Sequence, residues 1–195
     1  MIKKGDQKKL GLMVLKKSYK EGSFTLTSGK TSNFYIDIKQ TFLEPQGSIL
    51  IGKCFWEIIK NYCPEATAVV GVPVGATPLV TATSIISLLD QSYKGVPLAQ
   101  GIVRKNKKDH GSSKQIEFPQ SVKTGATVVL LDDVLTTGQT NEKAIKILTK
   151  TGFKVGLIAV VVDREEGGQE FLLSKTGIKN IYSIFTRSEL LALKI

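Results

Sequence analysis

The sequence predicts an α/β fold in which a mostly parallel β-sheet is flanked by helices. Three features of the chain indicate this: β-branched apolar runs recur, helical periodicity returns between them, and glycine-bearing turns separate the two. Runs that are apolar at consecutive positions are typical of strands buried on both faces, and their alternation with helices favours parallel pairing. Ligands of such sheets bind at the carboxyl ends of the strands, so we expect the chemistry in the loops that follow them.

The first 62 residues precede the regular alternation. Residues 5–20 are predicted to form a helix with Leu10 and Val14 on one face. Residues 24–39 alternate in two short runs around a glycine-containing turn, which is typical of a small hairpin. Helical spacing returns over residues 45–62, where a proline suits the first turn.

The rest of the chain repeats a pattern of strand, turn and helix. The predicted strands cover residues 66–72, 98–103, 126–131, 154–162 and 178–185. Helices are predicted over residues 77–89 and 139–150 and, briefly, at the C-terminus, and a very polar loop occupies residues 104–115.

Composition bounds the class of protein. The 195 residues, 42% of them hydrophobic, are enough for one sizeable core, so we expect a single domain over residues 1–195 and no extensive disorder. The longest apolar stretch, residues 157–162, is far short of the roughly 20 residues that cross a bilayer, and the polar start does not resemble a signal peptide. Two cysteines without zinc-type spacing favour a cytoplasmic location.

The net charge of +10 is compatible with several partners. Nucleic acid, an acidic membrane or a small polyanionic substrate would each be attracted to a protein with a pI near 9.5. However, the lysines are spread along the whole chain, so charge alone favours an ordinary lysine-rich surface.

The loop after the third predicted strand carries the strongest chemical signal. Asp132 and Asp133 follow a VVLL strand, and a hydroxyl-rich turn then opens a helix. Backbone N–H groups at a helix start, with threonine hydroxyls beside them, bind phosphate, and the carboxylates suit ribose hydroxyls or hydrated Mg²⁺. A simple capped helix is the alternative, but it does not account for the acidic pair and the turn together. The turn residues are Thr136, Thr137, Gly138, Gln139 and Thr140.

The loop after the second predicted strand is densely basic. Residues 104–111 contain four basic side chains and the only histidine of the chain, His110. This charge density suits stabilisation of an anionic leaving group, although a solvated basic turn would have the same composition. The four basic residues are Arg104, Lys105, Lys107 and Lys108.

These segments together resemble a known family. Residues 132–140 are similar to the phosphoribosyl-pyrophosphate (PRPP) motif of type I phosphoribosyltransferases, and the RKxxKDHG spacing of residues 104–111 resembles the catalytic loop of orotate phosphoribosyltransferases. Residues 24–37, 71–76 and 162–165 also resemble segments of that family. The resemblance implies the type I phosphoribosyltransferase fold, with a small N-terminal hood hairpin formed mainly by residues 20–40.

The resemblance also implies an activity. It is the Mg²⁺-dependent transfer of the phosphoribosyl group from PRPP to N1 of orotate, giving orotidine 5′-monophosphate and pyrophosphate, in pyrimidine biosynthesis. The implied enzyme is a homodimer with shared active sites that binds neither nucleic acid nor membrane. Mg²⁺ would be held mainly by PRPP and water, near the two aspartates.

Roles for individual residues follow from the same resemblance. Asp132 and Asp133 would hold the ribose hydroxyls, the turn from Thr136 to Thr140 would bind the 5′-phosphate, and Arg164 would meet the orotate carboxylate. The remaining implied contacts are the orotate ring for Phe34 and Tyr35, the pyrophosphate for Val74 and Gly75, and the departing pyrophosphate for Lys108 and His110, with charge added by Lys105 and Arg104.

The chain departs from the family pattern at a few positions, and two alternatives stay open. Thr27, Val74 and Gly75 stand where family members often have lysine, tyrosine and lysine, and Phe118 replaces a more usual glycine. The first alternative is a phosphoribosyltransferase for another base. The second is a PRPP-sensing regulator that binds nucleic acid through its positive charge.

Overall fold

A computed structural model describes residues 2–25, 31–104 and 115–194 of the chain. The elements before the main sheet are α1 (Lys4–Lys17), β1 (Tyr19–Thr25), β2 (Thr31–Ile36), α2 (Lys39–Phe42) and α3 (Pro45–Tyr62). The elements that follow are β3 (Ala68–Gly71), α4 (Thr77–Leu89), β4 (Ala99–Val103), β5 (Ile116–Glu117), β6 (Thr127–Leu135), α5 (Gln139–Lys150), β7 (Lys154–Asp163), α6 (Gly168–Thr176), β8 (Ile181–Thr186) and α7 (Arg187–Ala192).

The strands form one large sheet and one separate hairpin. The six-stranded sheet has the order β5-β4-β3-β6-β7-β8, in which all neighbours are parallel except the short β5. β1 and β2 pair antiparallel in a sheet of their own. Because β3, β6 and β7 lie side by side and point the same way, their carboxyl ends meet at one edge of the large sheet.

Two apolar layers enclose this sheet. Alternate residues of a strand point to opposite faces, so Val69 and Leu131 pack in the layer that includes α1, α3 and α4. Val70 and Leu130 pack in the opposite layer, which includes α5 and α6. Burial of the central strands on both faces explains their uninterrupted apolar runs.

The predicted class, a mostly parallel α/β sheet with a small hairpin, is confirmed, and α3, α4 and α5 have the predicted bounds. Three elements were not predicted: α2, β5, and α6 between β7 and β8. The glycines that flank α6, Gly167 and Gly177, have φ angles of +82° and +71°, a conformation that suits glycine at helix ends. In the helical stretch between them, only Gly168 and Leu172 are buried, so its apolar periodicity is weak.

Two predicted boundaries were wrong in a way that matters for function. The first helix ends at Lys17, and Tyr19 already belongs to the hairpin, which therefore has a longer first strand than predicted. β6 continues to Leu135 instead of ending at residue 131. None of the helices in the described ranges combines the length and apolarity that a bilayer crossing requires.

Candidate active site

The two aspartates belong to strand β6 itself, near its carboxyl end, and not to a loop after it. Asp132 pairs with Val160 and Leu135 with Asp163 of β7, so the strand remains hydrogen-bonded past both carboxylates. The backbone N–H of Asp133 donates to Oδ1 of Asp132 at 3.0 Å, and that of Val134 donates to Oδ1 of Asp133 at 2.8 Å. A paired strand end is more rigid than a loop, and the carboxylates are therefore held in fixed positions.

The threonine-rich turn connects β6 to the N-terminus of α5. Gly138 has a φ angle of +77°, and a Cβ there would lie 3.0 Å from the carbonyl oxygen of Gly168, so both conformation and space require glycine. Thr137 and Gln139 are exposed. No side chain among the described residues caps α5 at Gly138, which leaves the first N–H groups of the helix open to a ligand.

The loop after β3 faces the aspartates across the sheet edge. A Cβ on Gly75 would lie 3.0 Å from Oδ2 of Asp133, so the backbone of this loop approaches the carboxylate closely. Val74 is 82% exposed and contributes little to the apolar core. The predicted sites at Val74 and Gly75 are thus brought together with Asp132 and Asp133.

These segments enclose one polar cavity of about 550 Å³. The cavity lies between the loop after β3, the end of β6, and the first residues of α5. Its lining residues are Lys39, Val72, Pro73, Val74, Gly75, Asp132, Asp133, Val134, Thr136, Thr137, Gly138, Gln139, Thr140 and Asn141. Every predicted residue of the 132–140 segment therefore lines a single site, apart from Leu135, which is buried in the core.

Asp132 is the most perturbed carboxylate of the site. Burial, reinforced by the neighbouring charge of Asp133, raises the pKa of Asp132 to about 7. The side chain of Asn141, itself only 3% exposed, donates from Nδ2 to Oδ2 of Asp132 at 2.8 Å and opposes that rise. A carboxylate that titrates near neutral pH in a cavity is typical of functional sites.

Arg164 follows β7 and lies beneath the hairpin. Its backbone N–H donates to the carbonyl of Leu135, which fixes it beside the end of β6. The side chain is 7% exposed, donates from Nε to Glu166 at 2.7 Å, and reaches Oγ of Ser32 at 3.4 Å. Arg164 is therefore a buried cation at the sheet edge rather than half of a surface pair with Asp163, whose carboxylate accepts from the backbone of Glu165 instead.

The two predicted aromatic residues of the hairpin lie on opposite faces of β2. Phe34 is buried, and the guanidinium carbon of Arg164 lies 4.5 Å from its ring centroid. Tyr35 is 40% exposed and packs against Phe24. Because successive side chains of a strand alternate, the two rings do not share one contact surface.

A second arginine, Arg187, also packs on the ring of Phe34. The guanidinium carbon of Arg187 lies 4.0 Å from the ring centroid. Its Nε is buried and has no hydrogen-bond partner among the described residues. The ring of Phe34 therefore contacts two arginine side chains. Their guanidinium groups place positive charge in this region, which suits an anionic ligand.

The basic loop is described only at its first residue. Arg104 forms an ion pair with Glu117, its Nε and Nη2 lying 2.9 and 2.8 Å from Oε1. Its backbone N–H also donates to the carbonyl of Gln115. The charge of Arg104 is therefore already engaged at the base of the loop. Lys105, Lys108 and His110 lie outside the described residues, as do Thr27 and the turn of the hairpin.

Three residues at or near the site were missed by the sequence analysis. Lys39 lines the cavity, Asn141 binds Asp132, and Arg187 contacts Phe34. A polar residue at a buried position of α5 was a usable signal for Asn141. Nothing in the sequence around Lys39 or Arg187 distinguishes these residues from the many other lysines and arginines of the chain.

A second cavity, of about 450 Å³, lies away from the sheet edge between α1, α3 and α4. Several of its charged side chains pair with one another: Lys60 contacts both Glu57 and Asp90, and Nε1 of Trp56 donates to Asp90 at 2.8 Å.

The arrangement at the sheet edge suits a phosphorylated, hydroxyl-bearing ligand. Open N–H groups and threonine hydroxyls at the start of α5 are suited to bind a phosphate, and the carboxylates three and four residues before Thr136 are suited to accept from hydroxyl groups. Among the described residues no group of three or more His, Cys, Asp or Glu side chains forms a metal cage. Mg²⁺ nevertheless fits, because it is commonly held by one or two carboxylates with substrate phosphates and water completing its shell.

The chain is similar to known phosphoribosyltransferases over most of its length. A model of the phosphoribosyl transferase domain matches residues 39–186. The orotate phosphoribosyltransferase of Aquifex aeolicus is 40% identical over 189 residues, which cover 95% of this chain and 98% of the relative. That of a Nostoc species is 39% identical over 184 residues, covering 94% and 84%. Among solved structures, an orotate phosphoribosyltransferase of Mycobacterium tuberculosis superposes with a TM-score of 0.76 at 30% identity, covering 95% of this chain and 98% of that one.

Proposed function

The chain belongs to the phosphoribosyltransferase family, and on that premise we propose that it is an orotate phosphoribosyltransferase of pyrimidine biosynthesis. It transfers the phosphoribosyl group of PRPP to N1 of orotate, giving orotidine 5′-monophosphate and pyrophosphate. The observation that carries the proposal is the cavity in which Asp132, Asp133 and the Thr136–Thr140 turn face the Val74–Gly75 loop, with buried Arg164 beside it. The relatives at 35–40% identity named orotate phosphoribosyltransferase support the choice of base.

The protein's part in the reaction is to position the reactants and to stabilise charge. The turn at the start of α5 holds the 5′-phosphate, and Asp132 and Asp133 accept from the ribose hydroxyls, which fixes C1′ in the cavity. N1 of orotate forms a bond to C1′ and gives up its proton to solvent, while the C1′–O bond breaks and its electron pair leaves with pyrophosphate, with inversion at that carbon. Asp132 and Asp133 would hold Mg²⁺ in the cavity, and the ion would supply positive charge to the leaving group.

Arg164 and the hairpin select the base. The Arg164 guanidinium has donors beyond the Nε that Glu166 occupies, and these pair with the carboxylate of orotate. Phe34 supports Arg164 from the hairpin side. Tyr35, on the other face of β2, packs against Phe24. Lys105, Lys108 and His110, carried over from the family motif, stabilise the departing pyrophosphate; Arg104 anchors the base of their loop through Glu117.

A homodimer that shares its active sites is part of this proposal, as is a cytoplasmic location. The outer face of α4 carries exposed apolar side chains, with Ile85 48% and Leu88 67% exposed. Apolar patches of this kind mark protein interfaces. Both cysteines are free and buried, as in proteins of reducing compartments. Sedimentation equilibrium tests the dimer, and Ile85→Glu is expected to shift the protein towards monomer.

The activity is tested by the loss of orotate absorbance when protein, Mg²⁺, PRPP and orotate are mixed, with uracil and hypoxanthine run in parallel. Turnover of orotate alone supports both the reaction and the base. Turnover of another base would instead assign a different phosphoribosyltransferase. Binding of PRPP without any turnover, combined with salt-dependent binding of unrelated nucleic acid, would favour a regulator.

A further inference from the structure

Lys39 stands in the proposed PRPP cavity, and it is the one cationic side chain among the described residues that line it. It is the first residue of α2, directly after the hairpin, and its side chain is 51% exposed. The other charged residues of the lining, Asp132 and Asp133, are both acidic. Among the described lining residues, an anion in this cavity therefore meets two like charges and one opposite charge.

Lys39 lies in the same cavity as Asp133 and Gly75. A Cβ on Gly75 would lie 3.0 Å from Oδ2 of Asp133, so these two residues adjoin each other. The N-terminus of α5, with its open N–H groups, also lines this cavity.

Asp37 holds the lysine in place without burying it. Nζ of Lys39 lies 3.0 Å from Oδ1 of Asp37, and the backbone N–H of Lys39 donates to the same oxygen at 3.2 Å. Such a half-exposed ion pair contributes little to stability, so the ammonium retains donors for a second anion. The ion pair with Asp37 positions the ammonium group of Lys39 and leaves it partly exposed to solvent.

We infer that Lys39 binds the diphosphate of PRPP, and the pyrophosphate product, in this cavity. The inference rests on the proposed function, since it assigns a partner to the second phosphorylated group of that substrate. The 5′-phosphate occupies the N–H groups of α5, which leaves the diphosphate to the rest of the lining. A diphosphate that shares the cavity with Asp132 and Asp133 is stabilised by a cation, and Lys39 supplies one as a flexible point charge.

The test compares Lys39→Gln with the wild type by calorimetric titration of inorganic pyrophosphate in the presence of Mg²⁺. Loss of one charge-assisted contact is expected to weaken pyrophosphate binding about 10- to 100-fold. The KM for PRPP rises in parallel, while the KM for orotate changes less than about threefold. Lys39→Arg retains most of the affinity, because it keeps the charge.

Two further variants separate a direct contact from a structural effect. Lys150→Gln removes the same charge at the far end of α5 and is expected to bind pyrophosphate like the wild type, which controls for net charge. Asp37→Asn breaks the ion pair but keeps the lysine, and it is expected to preserve the affinity. If Asp37→Asn weakens binding as much as Lys39→Gln does, the lysine acts by shaping the hairpin and the inference fails.

The proposed function and this inference fail in different ways. Orotate turnover with unchanged pyrophosphate affinity in Lys39→Gln would overturn the role of Lys39 and leave the function standing. Lys39-dependent pyrophosphate binding without orotate turnover would support the role of Lys39 and overturn the choice of base.

Discussion

Asp132 is expected to reduce the stability of the fold at neutral pH, and Asp132→Asn is expected to restore it. Burial raises the pKa of Asp132 to about 7 from its ordinary value of 3.8. The carboxyl group therefore favours folding when it is protonated, and this contribution is lost as the pH rises from about 4 through 7. An asparagine of nearly the same shape carries no charge, and its single oxygen can still accept from Asn141, with loss of the bond from the backbone N–H of Asp133.

The magnitude follows from the difference between the two pKa values. Each pH unit corresponds to about 1.36 kcal/mol, so holding the carboxylate ionised at pH 8 costs at most about 4 kcal/mol. Because the carboxyl group faces an open cavity, solvent screens part of this cost, and we expect about 1–3 kcal/mol. For a chain of this length that corresponds to a rise in Tm of roughly 3–10 °C.

The assay is thermal unfolding of both proteins at pH 4 and pH 8, in EDTA and without PRPP. The variant is expected to unfold at a higher temperature at pH 8, with the difference largely gone at pH 4. Glu170→Gln, which removes one exposed charge from α6, controls for net charge and is expected to show no such pH-dependent gain. Equal differences at pH 4 and pH 8, or a variant less stable than wild type at pH 8, would refute the reasoning.

Three other predictions concern the site and the core. Arg164→Lys is expected to raise the KM for orotate about 10- to 100-fold and the KM for PRPP much less, because a single ammonium group cannot replace the planar guanidinium. Steady-state kinetics with each substrate varied separately measures both KM values. Asn141→Leu removes the donor to Asp132 and is expected to raise the KM for PRPP about tenfold, with Asn141→Asp at least as damaging; an unchanged KM would show that Asp132 does not need this partner. Burial raises the pKa of both the Cys54 and Cys63 thiols to about 12, so neither is expected to react with iodoacetamide at pH 8 until the protein unfolds, as mass spectrometry would show.

Local sequence patterns were sufficient to predict a helix where its own residues carry apolar periodicity or a proline at the first turn. The helices α3, α4 and α5 begin and end at the predicted residues, since prolines at the first turns of α3 and α4 and apolar periodicity act over a few neighbouring positions. The 132–140 motif was found for the same reason. α6 was missed because its apolar face is too short to register as periodic.

The site itself was only partly accessible from the sequence. The chain order determines that Asp132 and Thr136 stay close, because four residues separate them. It does not determine that Lys39 lines the same cavity as Asp133, or that Arg164 binds Glu166 and reaches Ser32 of the hairpin. Lys39 and Asp133 are 94 positions apart in the chain, and Arg164 and Ser32 are 132 apart. Whether such residues come together depends on strand order and register.

By itself, the amino-acid sequence determined the fold class, the bounds of three helices and the segments that would carry the chemistry. Only the tertiary structure decided that β6 continues past both aspartates, that Phe34 and Tyr35 face opposite ways, and that Arg104 is already paired. The physical reason is that backbone preference and periodicity are local, whereas the partner of a side chain depends on which strand lies next to its own. The cavity at the sheet edge exists because parallel pairing brings the ends of β3 and β6 together.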